Sequence, residues 1–495
     1  MPCTTFLAGK KATYNGSTMM ARNEDSGSGE FTAKKFIVVN PIDQPRHYKS
    51  VMSKFECDLP DNPMRYTAMP NALTNEGIWG EAGVNEENVA MSETETITSN
   101  VRVLGADPLV KDGIGEEDLL TLVLPYIHSA REGVERLGAL HEKYGTYEMN
   151  GIGFQDVDEI WWFESVGGHH WIAKKVPDDS YVVMPNQLGI DSFDFMDAFG
   201  DRAENMCSDD LIQFIIENNL DLYMPKEDEE EEDRELAAET EFDIRAAFGS
   251  HDDSDHVYNT PRAWIMERYL NPNSFIWDGD DADFTPESDD IPWSMVPERK
   301  ITVEDVKYVL SEHFQGTQYD PYGKYGDNSH RGQYRPIGIN RNNFVALTEL
   351  RSDVPEEIMA VEWIAEGSNV FNAFVPFYAN VTKTPKYLAN TTKKVSTDNF
   401  YWANRLIGAL ADNHWSMCNS HIERYQNKVH AKGHQLINEF DREFVNTRPD
   451  DVQSFLEECN EKTAAMAKEE TGDVLDKVLF EASMEMKNAF SRSDA

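Results

Sequence analysis

Residues 3–25, CTTFLAGKKATYNGSTMMARNED, set the frame in which the rest of the chain is read. CTTFLA is an apolar, β-branched run, Asn15-Gly16 is a hairpin turn pair, and TMMARNED is a second strand-like run. The two runs are expected to pair as an antiparallel hairpin, with the third residue of the chain inside a sheet. In such a hairpin Arg22 and Asp25 return to the Cys3 end. After a Ser-Gly-rich loop, FTAKKFIVVN (31–40) reads as a further strand.

Outward from the hairpin, GIGFQDVDEIWWFESVGGHHWIAKKVPDDSYVVMPNQ (151–187) holds three β-rich runs separated by Gly167-Gly168 and by Pro177-Asp178-Asp179. This is the pattern of an antiparallel meander and suggests a second sheet. Upstream, in EEDLLTLVLPYIHSAREGVERLGALHEKYG, Leu119, Leu120, Val123, Ile127, Ala130, Val134 and Leu137 recur near helical spacing. Pro125 divides that stretch into two helical segments. From Asn399 onward the chain is helical in period and rich in charge, as outer helices are. Strands, helices, strands and helices in that order predict a layered α+β fold with mostly antiparallel sheets.

Composition removes several functions. The chain of 495 residues carries 45 Lys+Arg against 89 Asp+Glu, a net charge of −44, which repels nucleic acid and anionic membranes; neither is expected as a partner. Cys3, Cys57, Cys207, Cys418 and Cys459 form no CxxC pair, so neither a disulfide framework nor a thiolate zinc site is indicated. With no charged-then-apolar leader and no run of about 18 apolar residues, a cytoplasmic protein is expected. PKEDEEEEDRE (225–235) reads as a solvated acidic insertion. WDGDDADFTPESDD (277–290) lacks the spacing and terminal Glu of an EF-hand and reads as an acidic loop.

HExxH, GxSxG and GxxxxGK[ST] are all missing, and HEKYG at His141 has Gly145 where a zincin needs its second histidine. His169-His170 reads as structural, because adjacent strand residues point to opposite faces. HDDSDH (251–256) is a weak cation motif at best. Cys3 remains. A catalytic thiol needs a base, and a cysteine that becomes the first residue carries its own: an α-amine of pKa about 7.7–8.0 that can take the thiol proton. Arg22 beside the thiol would favour thiolate, and Asp25 beside the amine would hold it in place. On residues alone, a buried strand cysteine and a strand-end ion pair are equally open readings.

CTTFLAGKKATYNGSTMMARNEDSGSGE, together with VVMPNQ (182–187) and NTPRAW (259–264), resembles the bacterial dipeptidase A family, cysteine peptidases of the N-terminal-nucleophile (Ntn) hydrolase superfamily to which secernins are related. Cys3 followed by Arg-Asn-x-Asp is more distantly similar to the opening of choloylglycine hydrolases and penicillin V acylases. RPIGINRN (335–342) and EWIAEGSNVFNAFVPFYAN (362–380) extend the similarity through most of the chain.

The resemblance implies a four-layer αββα fold: a removable leader at residues 1–2, a core over 3–395 with the acidic insertion, and a helical region over 396–495. It implies Cys3 as nucleophile, Arg22 near its sulfur, Asp25 on the freed amine, Asn186 as oxyanion donor and Arg262 as support for the site. VNEENVAMSETET (84–96) has no asparagine where the acylases place their second oxyanion donor, so that donor stays unassigned. Ser26, Gly27 and Ser28 are expected at the entrance, as donors to the substrate's termini. The implied activity is hydrolysis of dipeptides by a homo-oligomer without metal or organic cofactor. Two alternatives stay open: an amidase or acylase acting on non-peptide amides with the same nucleophile, and a secernin-like interaction protein whose Cys3 never becomes terminal.

Overall fold

The computed structural model describes residues 3–27, 29–73, 78–224, 235–324 and 326–488. Within these residues helices and antiparallel sheets are combined in an α+β fold.

The opening hairpin forms as the sequence predicts. Strand β1 (Cys3–Ala8) pairs antiparallel with β2 (Thr18–Asp25), with Cys3 opposite Glu24 and Thr5 opposite Arg22. Gly16 takes the turn at φ +79°, a left-handed conformation that only glycine adopts without cost.

Further strands are β3 (Ala82–Val84), β4 (Ala90–Ile97), β5 (Met149–Gln155), β6 (Ile160–Ser165), β7 (Trp171–Lys175), β8 (Tyr181–Met184), β9 (Asn205–Cys207), β10 (Ser294–Met295), β11 (Asn342–Leu350), β12 (Ala360–Glu366) and β13 (Val375–Tyr378). One sheet has the order β10-β8-β1-β2-β11-β12-β13 and the other β9-β7-β6-β5-β4-β3. FTAKKFIVVN contributes only Ile37–Val39, paired with Tyr66–Ala68 in a small separate sheet.

The meander over 151–187 departs from the expectation in two ways. Its first run is two strands, turned at Asp156, whose Oδ1 accepts the amides of Asp158 and Glu159. Its last run, β8, leaves the meander and pairs with β1 in the other sheet. The preceding turn is drawn to the hairpin, where Asp178 O accepts from Lys11 N and Ser180 O from Gly9 N.

Strand alternation gives the first sheet two distinct faces. Phe6, Ala8, Met19 and Ala21 share a core with helices α3 (Thr260–Leu270), α4 (Val303–Val309) and α6 (Trp415–Thr447). Leu7 and Met20 on the opposite face share a core with Ile160, Trp162 and Ile172 of the second sheet. The sheets approach so closely that a Cβ on Gly153 would lie 2.5 Å from Met20 Sδ. The far face of the second sheet packs against α1 (Leu119–Val123) and α2 (Ala130–Tyr144), which the 3₁₀ turn Leu124–Tyr126 separates at Pro125.

Helix α5 (Phe400–Ala411), α6 and α7 (Val452–Met484) close over the β11–β13 end of the first sheet, burying Phe344, Ile364, Val375 and Phe377. No helix among the described residues is long and apolar enough to cross a membrane.

Candidate active site

Because β1 and β2 are in register with Thr5 opposite Arg22, the side chains of Cys3, Arg22 and Glu24 emerge on one face. Cys3 is fully buried there, and Arg22 Nη2 donates to its Sγ at 2.7 Å. Arg22 is itself fixed by Glu81 Oε2 at 2.5 Å and by Glu116 Oε1 at 3.3 Å. Lys34, also fully buried, pairs with Glu24 Oε2 at 2.6 Å and Glu81 Oε1 at 3.2 Å.

Burial opposes ionisation of Glu81, yet Lys34 and Arg22 outweigh it and hold the carboxyl below its ordinary range. At Glu93 burial, reinforced by Glu81, prevails over the partial relief from Arg22 and pushes the carboxyl well above the usual carboxylate range. Glu81 also has a left-handed backbone, φ +68°, a conformation costing a non-glycine residue about 1–3 kcal/mol. Its two ion pairs, and the bond from its N–H to Glu93 Oε2 at 3.0 Å, keep it there.

On the nitrogen side, the Cys3 N–H donates to Asn186 Oδ1 at 3.3 Å. Asn186 follows β8, which the crossover has placed beside β1. Arg262, buried in the first turn of α3, donates through Nη2 to the same Oδ1 at 2.7 Å and to Asn259 Oδ1 at 2.7 Å. Its Nη1 binds Cys3 O, and Thr4 Oγ1 at 2.8 Å. With two donors on Oδ1 the Asn186 amide is fixed in orientation.

Asp25 is three residues beyond Arg22, so alternation turns it to the other face of β2. There its carboxylate accepts from Arg335 and Asn342, and from Asn23 at 3.2 Å. Both guanidiniums, Arg262 and Arg335, lie 5.1 Å from the Tyr258 ring. Ser26 is buried and binds Asn343 Nδ2 through Oγ at 2.7 Å, and Gly27 is exposed; Ser28 lies outside the described residues. Residues 1–2 and 225–234 of the acidic insertion also lie outside them.

Glu24, Lys34, Glu81, Glu116, Asn259, Arg335 and Asn342 were not singled out as site residues from the sequence. Strand parity alone finds Glu24, and Asn259 stands at helical spacing before Arg262. Arg335 and Asn342 open and close RPIGINRN, whereas nothing local marks Lys34, Glu81 or Glu116.

Elsewhere, His169 and His170 do converge: their Nδ1 atoms reach Asp107 at 3.1 and 2.7 Å. They lie in the turn before β7, so strand alternation does not separate them. Asp107 stays well below its ordinary range because, against burial, it takes donors from both residues. In HDDSDH, His251 and His256 both face Asp289.

Comparison with known proteins finds that the profile of peptidase family C69 matches residues 2–428. A protein named dipeptidase from Bifidobacterium longum (strain NCC 2705) is 53% identical over 544 residues, covering 100% of both chains. A probable dipeptidase A from Streptococcus pyogenes serotype M3 is 53% identical over 494 residues, again covering 100% of both. A dipeptidase A from Lactobacillus helveticus is 43% identical over 97% of this chain and 96% of its own.

Proposed function

The chain belongs to peptidase family C69 and is a cysteine-type dipeptidase, and on that footing we propose that it cleaves dipeptides through Cys3 acting as the first residue of the mature enzyme. The observation that carries this reading is the pair of contacts at one residue: Arg22 Nη2 at 2.7 Å from Cys3 Sγ and Asn186 Oδ1 at 3.3 Å from Cys3 N. Both reacting atoms of Cys3 are thus held before substrate arrives.

Removal of Met1 and Pro2 turns the Cys3 amide into an α-amine and frees volume at that atom. The amine takes the thiol proton, and the thiolate, favoured by Arg22, attacks the carbonyl carbon of the scissile bond. The carbonyl electron pair moves onto oxygen, where the Asn186 amide and a backbone N–H receive it. The α-ammonium returns its proton to the departing nitrogen, the C–N bond breaks, and a thioester remains. Water then gives a proton to the same amine and attacks the thioester; the C–S bond breaks, the sulfur takes that proton back from the α-ammonium, and the N-terminal amino acid of the substrate leaves as its carboxylate, its acid proton going to solvent.

Arg262 keeps Asn186 and the Cys3 carbonyl in place, and Asp25, anchored by Arg335 and Asn342, is assigned to orient the freed amine. The two facing sheets with helices outside them support the αββα Ntn arrangement over 3–395, with 396–495 a helical region packed on that core.

N-terminal sequencing and intact mass of active protein test this. The mature chain is expected to begin at Cys3, Cys3→Ala to abolish release of amino acids from a dipeptide panel, and Cys3→Ser to leave a trace. A fully active chain still beginning with Met1 would overturn the mechanism. Hydrolysis of penicillin V or bile-salt amides in preference to dipeptides would favour the acylase alternative.

A further inference from the structure

Counted back from Arg262, Asn259 stands three residues earlier and Asp255 four before that, so one helical face carries all three. The short helical turn Asp255–Tyr258 and the first turn of α3 deliver that alignment. Asp255 and Asn259 are each 6% exposed, buried enough that their polar atoms must be satisfied by the protein.

Asn259 is the middle link of a chain of hydrogen bonds. Its Oδ1 accepts from Arg262 Nη2 at 2.7 Å and from Asn186 N at 3.2 Å, and its Nδ2 donates to Asn186 O at 3.1 Å and to Asp255 Oδ1 at 2.5 Å. Both polar atoms of the Asn186 backbone are thus clamped by one side-chain amide, while Arg262 holds the Asn186 side chain at Oδ1. The clamp works in one orientation. Turned over, the Asn259 amide would set its NH₂ against two N–H donors and its oxygen against two oxygens. On the NH₂ side, the Asp255 carboxylate is the acceptor that fixes this orientation from outside the clamp.

Asp255 is itself braced. Ser250 Oγ and Asp252 N donate to its Oδ2 at 2.5 and 3.3 Å. Its turn is tied to the acidic loop 277–290, where Asp289 Oδ1 lies 3.0 Å from His256 Nε2 and 3.6 Å from His251 Nδ1, and Pro286 O accepts from Thr260 Oγ1 at 2.8 Å. HDDSDH therefore works as a brace behind the site, with donors already on both oxygens of Asp255.

We infer that Asp255 is a positioning residue for the hydrolysis: it holds the Asn259 amide in the orientation that places Asn186, and through Asn186 it governs how well the oxyanion is stabilised. The inference rests on Asn186 being the oxyanion donor and Cys3 the nucleophile.

The test measures amino-acid release from one dipeptide by Asp255→Ala, Asp255→Asn, Asn259→Ala, Asn186→Ala and the Asp255→Ala/Asn186→Ala pair, with alkylation of Cys3 by iodoacetamide as a second readout. Complete loss of an oxyanion donor costs about 10²–10³ in kcat; Asp255→Ala leaves Asn259 bonded to Asn186, so kcat should fall by about tenfold with KM little changed. Asp255→Asn keeps an acceptor for Asn259 Nδ2 and should recover kcat to within about threefold of the unmodified enzyme. Alkylation displaces iodide at a saturated carbon and builds no oxyanion, so its rate, which reports the thiolate, should stay within about twofold in both. In the Asn186→Ala background Asp255→Ala should change kcat by less than about twofold, because the group it positions is gone.

Asn259→Ala deletes the same link from its other end, and it carries the test if Asp255→Ala does not fold: kcat should fall by about tenfold to a hundredfold, and the effect should again vanish without Asn186. Equal falls in kcat with and without Asn186 would overturn the proposal. So would a parallel fall in alkylation, or an Asp255→Asn enzyme as slow as the alanine variant. A slow Asn186→Ala beside an unaffected Asp255→Ala defeats the proposal alone. An Asn186→Ala enzyme that keeps its kcat defeats the oxyanion assignment, and the proposal falls with it.

Discussion

Replacing Arg262 by lysine keeps a cation at the end of α3 and removes the fork. The guanidinium now reaches Cys3 O, Thr4 Oγ1, Asn186 Oδ1, Asn259 Oδ1 and Tyr258 O, the last through Nε at 2.8 Å. An ammonium offers three donors from one point, so at least two of these buried acceptors lose their partner. At about 1.5–3 kcal/mol for each hydrogen bond to a charged group, the fold should lose about 3–6 kcal/mol. Activity should fall by a separate route. Asn186 is oriented by the donors on its Oδ1, and complete loss of an oxyanion donor costs about 10²–10³ in kcat. A loosened Asn186 should cost part of that, about tenfold to a hundredfold in kcat with KM little changed, while Asn186→Ala should show the whole loss. Steady-state amino-acid release, measured with denaturant unfolding and intact mass on the same preparation, separates the two effects. A mature Arg262→Lys enzyme whose kcat stays within threefold of the unmodified value, despite reduced stability, would refute the argument that Arg262 acts through Asn186.

Two further outcomes follow from the packing of the sheets. Burial raises the Glu362 carboxyl to about 8, with Thr67 giving partial relief. The folded state therefore holds a proton that the unfolded chain, with its pKa of about 4.3, releases earlier, so this group's contribution to stability is present below pH 4.3 and is lost as pH rises to 8. Glu362→Gln should flatten the decline in unfolding free energy between pH 5 and 8; an unchanged slope in urea titrations would count against it. Buried His141 and His430, lowered to about 4 by burial, act oppositely below pH 6.5, which is why the comparison is made between variant and parent. Gly153→Ala should destabilise by about 1–3 kcal/mol, because the new Cβ must displace the Met20 thioether from between the sheets. An unchanged midpoint in the same titration would show that the sheets yield more readily than their spacing implies.

Local chemistry made much of the architecture legible. Asn15-Gly16 announced the hairpin, Pro125 the break between α1 and α2, and helical spacing the long C-terminal segments. The errors are equally local. GIGFQDVDEIWWFESV reads as one run because its turn is made by Asp156 and lacks glycine and proline. His169-His170 reads as strand in the sequence, but the chain turns there and the strand begins only at Trp171. At Asp156 a polar side chain bonding to nearby backbone amides does what the usual turn residues do elsewhere.

Strand parity, a property of neighbouring residues, already put Cys3, Arg22 and Glu24 on one face and Asp25 on the other, because pleating repeats every two residues whatever the rest of the chain does. Asn186 and Arg262 reach Cys3 from 183 and 259 residues away. Their arrival depends on β8 crossing between sheets and on α3 packing beneath β1, which are outcomes of hydrophobic burial across the whole molecule. The acids around Arg22 are likewise gathered from separate segments. Burial raises Glu93 while Lys34 and Arg22 hold Glu81 down against burial, and both balances exist only once the two sheets have closed and excluded water.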